Sequence, residues 1–319
     1  MMKITEVKWD YLIVLDACRF DYFQQVYGEY LKGDLRKIES PGSCTNEWRN
    51  AHFDRNYDDI VYVSSNPHFS EKTSVYDYTA GEHFHKVYDV WRNKWTRGTV
   101  LPEDMTDAAI DIVSRHTDKR VIIHYMQPHA PYIILDEDAK GYATPDGPAG
   151  RRLDGEKDFL EAKKYKLKMH KWLLRLFSWN NILGNHPEWF LRKWLGLPPR
   201  APMEYVIHRY DNRVLRNAYR ANLKLVLKNA ARLIEHLAGR IIVTSDHGDF
   251  LGENRRYSHP SNTRHPILLE VPWLVIDKEK KTVPTDRQAK SYRDVNERAA
   301  ETMDEDEQIQ QKLRDIGYI

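Results

Sequence analysis

Four short apolar runs, each rich in β-branched residues, constrain the fold of this 319-residue chain more than any other feature. Each run has the length and composition of a strand that is buried on both faces of a parallel sheet. The predicted strands are residues 11–15, 60–63, 121–125 and 241–244. A fifth run, residues 268–276, is interrupted by Pro272, and this predicts an edge strand or an irregular one.

Helical patterns lie between these runs, most clearly at residues 104–115 and at about 209–238. Strand alternating with helix predicts an α/β fold, a doubly wound and mostly parallel sheet with helices on both faces. The length fits two domains of about 150 residues each or one large α/β domain. We expect a single domain over residues 1–319, with a basic, Trp-rich helical insertion or lid at 151–205 and a charged helical tail at 278–319.

The composition excludes several classes of protein. Hydrophobic residues make up 41% and charged residues 30% of the chain, which excludes a disordered or collagen-like protein. The 49 basic and 47 acidic residues give a net charge of +2, so no stable nucleic-acid partner is expected. Only Cys18 and Cys44 occur, too few for a disulfide scaffold. With no apolar signal segment and no run of about 18 apolar residues, we expect a soluble, cytoplasmic protein.

Polar side chains follow three of the predicted strands. Asp16 follows the first, Asp246 and His247 follow the fourth, and His124 and His129 lie at or after the end of the third. Because the carboxyl ends of parallel strands meet at one edge of the sheet, we expect these side chains to converge there. Two Asp and up to three His are a set suited to a divalent metal.

Each of these residues also has a plain structural interpretation. Asp16 alone could cap a helix, Asp246 and His247 before a glycine could form a turn, and His124 could be a hydrogen-bonded core histidine. Together they favour a metal site, because two carboxylates at a buried edge are costly unless a cation compensates them. The nucleotide-binding patterns GxGxxG and GxxxxGK[ST] are absent from the sequence, which argues against NAD and P-loop chemistry.

Two motifs carry a resemblance to a known family. Residues 15–21 (LDACRFD) resemble the first metal-binding motif of the sulfatase-like branch of the alkaline phosphatase superfamily, and residues 243–253 (VTSDHGDFLGE) resemble its last. Residues 128–132, 263–275 and 312–318 are also similar, the last to the tail of many archaeal members. The chain is thus identified as an archaeal-type sulfatase-like hydrolase. The resemblance implies an alkaline-phosphatase-like fold and metal-dependent hydrolysis of an anionic phosphate or sulfate ester.

The resemblance also places the nucleophile within residues 40–48 (SPGSCTNEW). Sulfatases convert a Cys or Ser to formylglycine within a Cys/Ser-x-Pro/Ala-x-Arg signature, which Cys44 and the residues after it lack. An unmodified hydroxyl favours a phosphoester and a covalent intermediate. Alignment with the family's Thr motif favours Thr45, and Ser43 and Cys44 stay open as alternatives.

The family resemblance implies roles for the remaining site residues. His129 and His259 would stabilise non-bridging oxygens or protonate the leaving group, although His259 could also be an exposed loop histidine. Residues 124–129 contain no carboxylate for a second site, so we expect one ion, Mn²⁺, Mg²⁺, Ca²⁺ or Zn²⁺. The implied metal ligands are Asp16, Thr45, Asp246 and His247.

The predicted insertion allows a different class of function. Its lysines and arginines are interleaved with tryptophans, so the chain could be a non-catalytic protein that binds a nucleic acid or a membrane surface. The plainer interpretation is a helical cap whose lysine stems cover a Trp-rich core. As a lid, the segment would select a large or amphipathic ester, with membrane-surface contact through residues 160–195.

Overall fold

The computed structural model describes residues 3–135, 184–197, 199 and 201–279. The strands in chain order are β1 (Tyr11–Leu15), β2 (Asp34–Glu39), β3 (Tyr57–Ser64), β4 (Phe84–Asp89), β5 (Trp95–Thr96), β6 (Thr99–Val100), β7 (Arg120–Tyr125), β8 (Gly239–Thr244), β9 (Phe250–Leu251), β10 (Tyr257–Ser258) and β11 (Glu270–Lys278). The α-helices are α1 (Phe20–Val26), α2 (Thr45–His52), α3 (Val90–Lys94), α4 (Pro102–Arg115), α5 (Pro187–Trp194), α6 (Pro202–Arg209), α7 (Asn212–Glu235) and α8 (Pro266–Leu269).

A seven-stranded sheet forms the centre of the fold, in the order β2-β11-β8-β1-β7-β3-β4. The five strands from β8 to β4 are parallel to one another, and β11 is antiparallel to both of its neighbours. At the centre of the sheet, Ile13 lies opposite Ile123 on one side and Val243 on the other. The predicted α/β class with a mostly parallel sheet is confirmed.

The central strands bury both of their faces, as their continuous apolar composition predicts. Alternate residues point to opposite faces: Ile13 and Leu15 belong to one core cluster, and Leu12 and Val14 to another. On the first face the sheet packs against residues of α4 and α7. On the second face it packs against Trp48 of α2 and a group of aromatic rings. The helix that begins at Thr45 is therefore anchored to the sheet by its own tryptophan.

The prediction of an edge or irregular strand at residues 268–276 is wrong. Strand β11 lies inside the sheet, between β2 and β8, and the polar strand β2 forms the edge. Pro272 is accommodated because pairing with β8 begins one residue later, at Trp273 opposite Thr244. The missing N–H of Pro272 therefore costs no bond to β8, and its carbonyl accepts a hydrogen bond from Thr244 Oγ1.

The helical predictions differ from the structure mainly at their ends. Residues 104–115 lie within α4. The segment 209–238 is divided, because α6 ends at Arg209 and Asp211 caps α7 by accepting hydrogen bonds from the N–H groups of Arg213 and Val214.

Parts of the predicted organisation lie outside the described residues. This holds for residues 151–183, 198 and 200 of the insertion and for 280–319 of the tail. The described residues of the insertion, 184–197, 199 and 201–205, contain α5 and the first residues of α6. Among the residues described, no helix combines the length and apolar character needed to span a bilayer.

Candidate active site

The loop that follows β1 is joined to the loop that follows β8 by a hydrogen bond from a backbone N–H group to the Asp246 carboxylate. Asp246 Oδ1 accepts from the N–H groups of Ala17, at 3.0 Å, and His247, at 2.9 Å. The N–H of Asp16 donates to the carbonyl of Tyr125 at the end of β7. Ala17 has a positive φ of 58°, a backbone conformation that turns the chain sharply after Asp16. These bonds fix the Asp246 carboxylate and the backbone of Asp16 at the carboxyl edge of the sheet.

Thr45 lies at the first residue of α2 and faces this edge. Its Oγ1 donates a hydrogen bond to Asp246 Oδ2 at 2.8 Å and lies 3.3 Å from His247 Nε2. The other two predicted candidates for the nucleophile make different contacts. Ser43 Oγ donates to the Pro260 carbonyl, and Cys44 Sγ lies 3.5 Å from the Ser261 hydroxyl. Of the three, Thr45 alone makes a hydrogen bond to Asp246 or His247.

Two imidazoles complete this group. His247 Nε2 lies 3.3 Å from Asp246 Oδ2 and 3.8 Å from Asp16 Oδ1, and His124 Nε2 lies 3.8 Å from Asp16 Oδ2. The Asn66 amide donates to Asp16 Oδ2 at 2.6 Å, whereas His124 Nε2 is buried without a hydrogen-bond partner. We refer to this group as the strand-end cluster, and its members are Asp16, Thr45, His124, Asp246 and His247.

The electrostatics of the strand-end cluster fit a divalent cation. Burial and the nearby Asp246 charge raise the pKa of Asp16 well above its usual range. Burial also acts to raise the pKa of Asp246, but the adjacent His247 and the bonds from Ala17 and Thr45 outweigh it and lower that pKa to about 2. Burial lowers the pKa of His124 to about 4. Two crowded carboxylates beside neutral imidazoles are the ligand types that bind Zn²⁺ or Mn²⁺.

A second group lies beside the first, on the segments that follow β7, β8 and β10. His129, Asp249 and His259 each offer a ligand atom, and these atoms lie within 4.8 Å of one another. His259 Nδ1 is 3.3 Å from Asp249 Oδ1, while Asp249 Oδ2 is buried without a partner. The His259 ring lies 4.3 Å from the His247 ring, centroid to centroid. We refer to these three residues as the histidine–aspartate cluster.

The two histidines of this cluster differ in charge. Burial, together with the positive charge of His259, lowers the pKa of His129 to about 4. Burial would also lower the pKa of His259, but the hydrogen bond and charge of Asp249 outweigh it and raise that pKa above its usual range. Near neutral pH the site therefore pairs a neutral imidazole with one that readily holds a proton.

Hydrogen bonds also assign the tautomers of His129 and His247. In each ring, Nδ1 lies within hydrogen-bonding distance of a backbone carbonyl, that of Ala130 for His129 and that of Gly248 for His247. Because a carbonyl can only accept, each Nδ1 carries the proton and each Nε2 carries a lone pair. Both rings therefore present a lone pair from Nε2, the form that a metal ligand or proton acceptor needs.

Comparison with known proteins identifies the family. The sulfatase family model matches residues 43–304. The chain belongs to the sulfatase family. The resemblance expected from residues 15–21 and 243–253 is thereby confirmed, although the first motif precedes the matched segment. A search of curated proteins gives no match.

Solved structures share the fold at low sequence identity. The integral membrane protein lipooligosaccharide phosphoethanolamine transferase A from Neisseria meningitidis matches with a TM-score of 0.50 and 14% identity over 84% of this chain. The match covers 47% of the transferase, so the chain spans about half of its length.

Two further structures are similar but align less closely. The C-terminal periplasmic domain of EptC from Escherichia coli, in complex with Zn, has 10% identity over 87% of this chain and 75% of its own, with a TM-score of 0.47. The phosphonate monoester hydrolase from Silicibacter pomeroyi has 14% identity over 83% and 67%, with a TM-score of 0.42. The cytoplasmic location expected from the sequence is not tested by these structures and stays a prediction.

Sequence reasoning missed three polar residues of this sulfatase-family site. Asp249 lies within the quoted last motif, but its pairing with His259 depends on a loop conformation that the motif does not reveal. Asn66 and His68 follow β3. Burial and the Arg49 charge lower the pKa of His68 to about 4, and its buried Nδ1 has no partner. The signal was available, because residues 60–63 were predicted as a strand and polar residues follow it directly.

Proposed function

We propose that this sulfatase-family chain cleaves a phosphate ester with the help of a divalent metal, through a covalent intermediate on Thr45. The contact that carries the proposal is the 2.8 Å hydrogen bond from Thr45 Oγ1 to Asp246 Oδ2, with His247 Nε2 at 3.3 Å. An unmodified hydroxyl suits phosphoryl transfer, because the phospho-enzyme that it forms can be hydrolysed by water or resolved by an alcohol. Cys44 and the residues after it lack the formylglycine signature, which argues against a sulfate ester.

The strand-end cluster would hold the metal. The ligands that we propose are Asp16, Thr45, Asp246 and His247, with the unpartnered Nε2 of His124 as a further donor. The two imidazoles favour Zn²⁺ or Mn²⁺ over Mg²⁺ or Ca²⁺. When bound, such an ion supplies positive charge that neutralises ester oxygens and acidifies a hydroxyl. We propose one ion per chain, and the histidine–aspartate cluster then acts on the substrate.

The side chains divide the work of the transfer. Asp246 accepts the hydrogen bond of the Thr45 hydroxyl and so orients Oγ1 for attack on phosphorus. The bond from Oγ1 to phosphorus forms while the bond to the leaving oxygen breaks, and the proton of the Thr45 hydroxyl passes along its hydrogen bond to Asp246 Oδ2. Protonated His259 donates its proton to that oxygen, since its pKa is raised by Asp249. The first N–H groups of α2 orient and stabilise the phosphoryl group, and the Nε2 lone pair of neutral His129 accepts a proton from the water or alcohol that resolves the intermediate.

The acceptor and the size of the substrate belong to the same proposal. Water as acceptor makes the protein a hydrolase, and an alcohol makes it a transferase. If residues 151–205 form a lid, we expect a large or amphipathic ester as the native substrate, with membrane-surface contact through 160–195. The cytoplasmic location expected from the sequence also stays a proposal.

A screen of metals and esters tests the proposed function. Protein stripped with a chelator is reloaded with Zn²⁺, Mn²⁺, Mg²⁺ or Ca²⁺ and assayed with 4-nitrophenyl phosphate, bis(4-nitrophenyl) phosphate, 4-nitrophenyl phenylphosphonate and 4-nitrophenyl sulfate. We expect turnover of a phosphorus ester that disappears on stripping and returns with Zn²⁺ or Mn²⁺. Preference for the sulfate ester, with an aldehyde at Cys44, would contradict the choice of phosphate. Salt-sensitive polynucleotide binding by a metal-loaded but inactive protein would instead favour the non-catalytic alternative.

A further inference from the structure

We infer that two buried side chains of helix α7 are positioning residues for the two halves of the site, Tyr219 for the strand-end cluster and Asn222 for the histidine–aspartate cluster. The inference rests on the proposed function, because it assigns separate effects on the same reaction. Residues three apart on a helix lie on one face, so one face of α7 reaches both loops.

Asn222 ties down the loop that carries His129. Its side chain is fully buried, and its Oδ1 accepts a hydrogen bond from the N–H of Ile133 at 3.0 Å. Its Nδ2 faces the carbonyl oxygens of Pro131 at 2.9 Å, His129 at 3.3 Å and Pro128 at 3.5 Å. One amide thus bridges both ends of the loop and the peptide of His129 itself. Within the described residues, no other side-chain amide makes a hydrogen bond to these groups.

Tyr219 holds the loop that carries Asp16. Its hydroxyl donates to the Ala17 carbonyl at 2.7 Å and accepts from the N–H of Arg19 at 2.9 Å. Ala17 is the residue with positive φ, and its N–H donates to Asp246 Oδ1. Tyr219 therefore secures the turn through which the carboxylates of the first and last motifs are held together.

The rest of this helix face shows why the two residues stand out. Leu215, Leu223 and Val226 of α7 are buried in the core on the same side of the sheet. Polar atoms among such residues are costly unless they are fully hydrogen-bonded, so their presence indicates that the loop contacts are needed. Asn229 provides a contrast, because its Nδ2 donates to the Leu225 carbonyl of its own helix. It is a buried asparagine of the same helix whose side chain bonds its own helix and neither loop.

The test compares Asn222→Leu and Asn222→Asp with the control Asn229→Leu in the metal-loaded full-length protein. In Asn222→Asp, one carboxylate oxygen can still accept from the Ile133 N–H, but the other oxygen replaces the NH2 group that faces the three loop carbonyls. We expect kcat for 4-nitrophenyl phosphate to fall about 10- to 100-fold in both Asn222 variants, with KM and Zn²⁺ affinity within about threefold. The control should keep its kcat.

A double mutant shows whether Asn222 acts through His129. If it does, adding Asn222→Leu to His129→Ala should lower kcat little further, because coupled residues are not additive. An additive loss, or an equal loss in Asn229→Leu, would overturn the inference. Tyr219→Phe should instead weaken Zn²⁺ binding about 5- to 10-fold. Its control is Tyr125→Phe, whose buried hydroxyl bonds Thr106.

Hydrogen exchange keeps the inference testable if no ester is turned over. The Ile133 amide is protected by Asn222 Oδ1, so it should exchange faster in Asn222→Leu and stay protected in Asn222→Asp and Asn229→Leu. Unchanged exchange at Ile133 in Asn222→Leu would refute the positioning role. If the metal-loaded wild-type protein turns over no ester and the variants still show this exchange pattern, the proposed function is refuted and the positioning role is not.

Discussion

The two clusters of the site are built in different ways. In the strand-end cluster, Asp16 and Asp246 follow neighbouring parallel strands, backbone N–H groups orient the Asp246 carboxylate, and the Asn66 amide donates to the Asp16 carboxylate. In the histidine–aspartate cluster, His129 and His259 lie on loops, and His259 keeps 22% of its side chain exposed. The sheet therefore organises the part proposed to hold the metal, whereas side-chain contacts organise the part proposed to act on the substrate.

This difference predicts that binding and chemistry can be separated by mutation. Changes in the strand-end carboxylates should affect metal affinity first, and changes in the histidine–aspartate cluster should affect the chemical step at constant metal content. Thr45 is the exception that joins the two parts, because its hydroxyl contacts Asp246 and is proposed to attack the substrate.

Thr45→Ala should have the largest effect. We expect kcat to fall by about 10³- to 10⁵-fold, as removal of a covalent catalyst does. Metal affinity should change only a few-fold, because the carboxylates and imidazoles stay in place. Mass spectrometry of a quenched reaction should find a phosphoryl group on the peptide that contains Thr45.

Ser43→Ala and Cys44→Ala are the matched controls for this variant. Their side chains contact Pro260 and Ser261, so each should lower kcat by less than about tenfold. A phosphoryl group found on Ser43, or an aldehyde at Cys44, would show that the nucleophile has been assigned to the wrong residue.

Asp249→Asn should have an intermediate effect that depends on pH. The Asp249 carboxylate raises the pKa of His259, so protonated His259 persists to higher pH and activity should fall as pH rises through that pKa. An amide at this position removes the negative charge that raises the pKa of His259, so the basic limb of the kcat/KM profile should move to lower pH. At pH 7.5 we expect a loss of about 10- to 100-fold, which a pH–rate series measures.

A second histidine–carboxylate pair supplies the control. Glu188 accepts from His186 outside the site, so Glu188→Gln should leave the pH profile unchanged. If the basic limb of Asp249→Asn coincides with that of the wild type, His259 is not the proton donor. The two clusters would then not divide the work as proposed.

The same difference explains how far sequence reasoning could go. Strand β1 was predicted at its observed bounds, and Asp16 and Asp246 converge as expected. Both predictions depend on local signals, namely a short apolar run and the polar residue that directly follows it. The position of β11 inside the sheet was not predictable from Pro272, since it depends on the point where pairing with β8 begins. The pairing of Asp249 with His259 was missed for a similar reason, because loop geometry depends on contacts between residues far apart in the chain.

Asp16→Asn should have only a small effect on the stability of the metal-free protein, and the sign of that effect tests the strand-end cluster directly. Burial and Asp246 raise the pKa of Asp16, so the metal-free folded protein binds a proton that the unfolded chain releases near pH 4. Its stability should therefore fall as pH rises above that value. Asp16→Asn removes this cost and should stabilise the metal-free protein by about 1–2 kcal/mol, while abolishing the gain in Tm that Zn²⁺ gives the wild type.

Asp246→Asn should behave in the opposite way. His247 and the bonds from Ala17 and Thr45 outweigh burial and lower the pKa of Asp246 to about 2. The ionised Asp246 carboxylate therefore stabilises the folded state above pH 4, and this contribution is lost as pH falls toward 2. The amide weakens these charge-assisted bonds, and Tm of the metal-free protein should fall. Thermal melts of both variants with and without Zn²⁺ measure the contrast. If Asp16→Asn also lowers Tm without metal, the buried Asp16 carboxylate is already compensated by the protein, and the electrostatic case for a cation beside it fails.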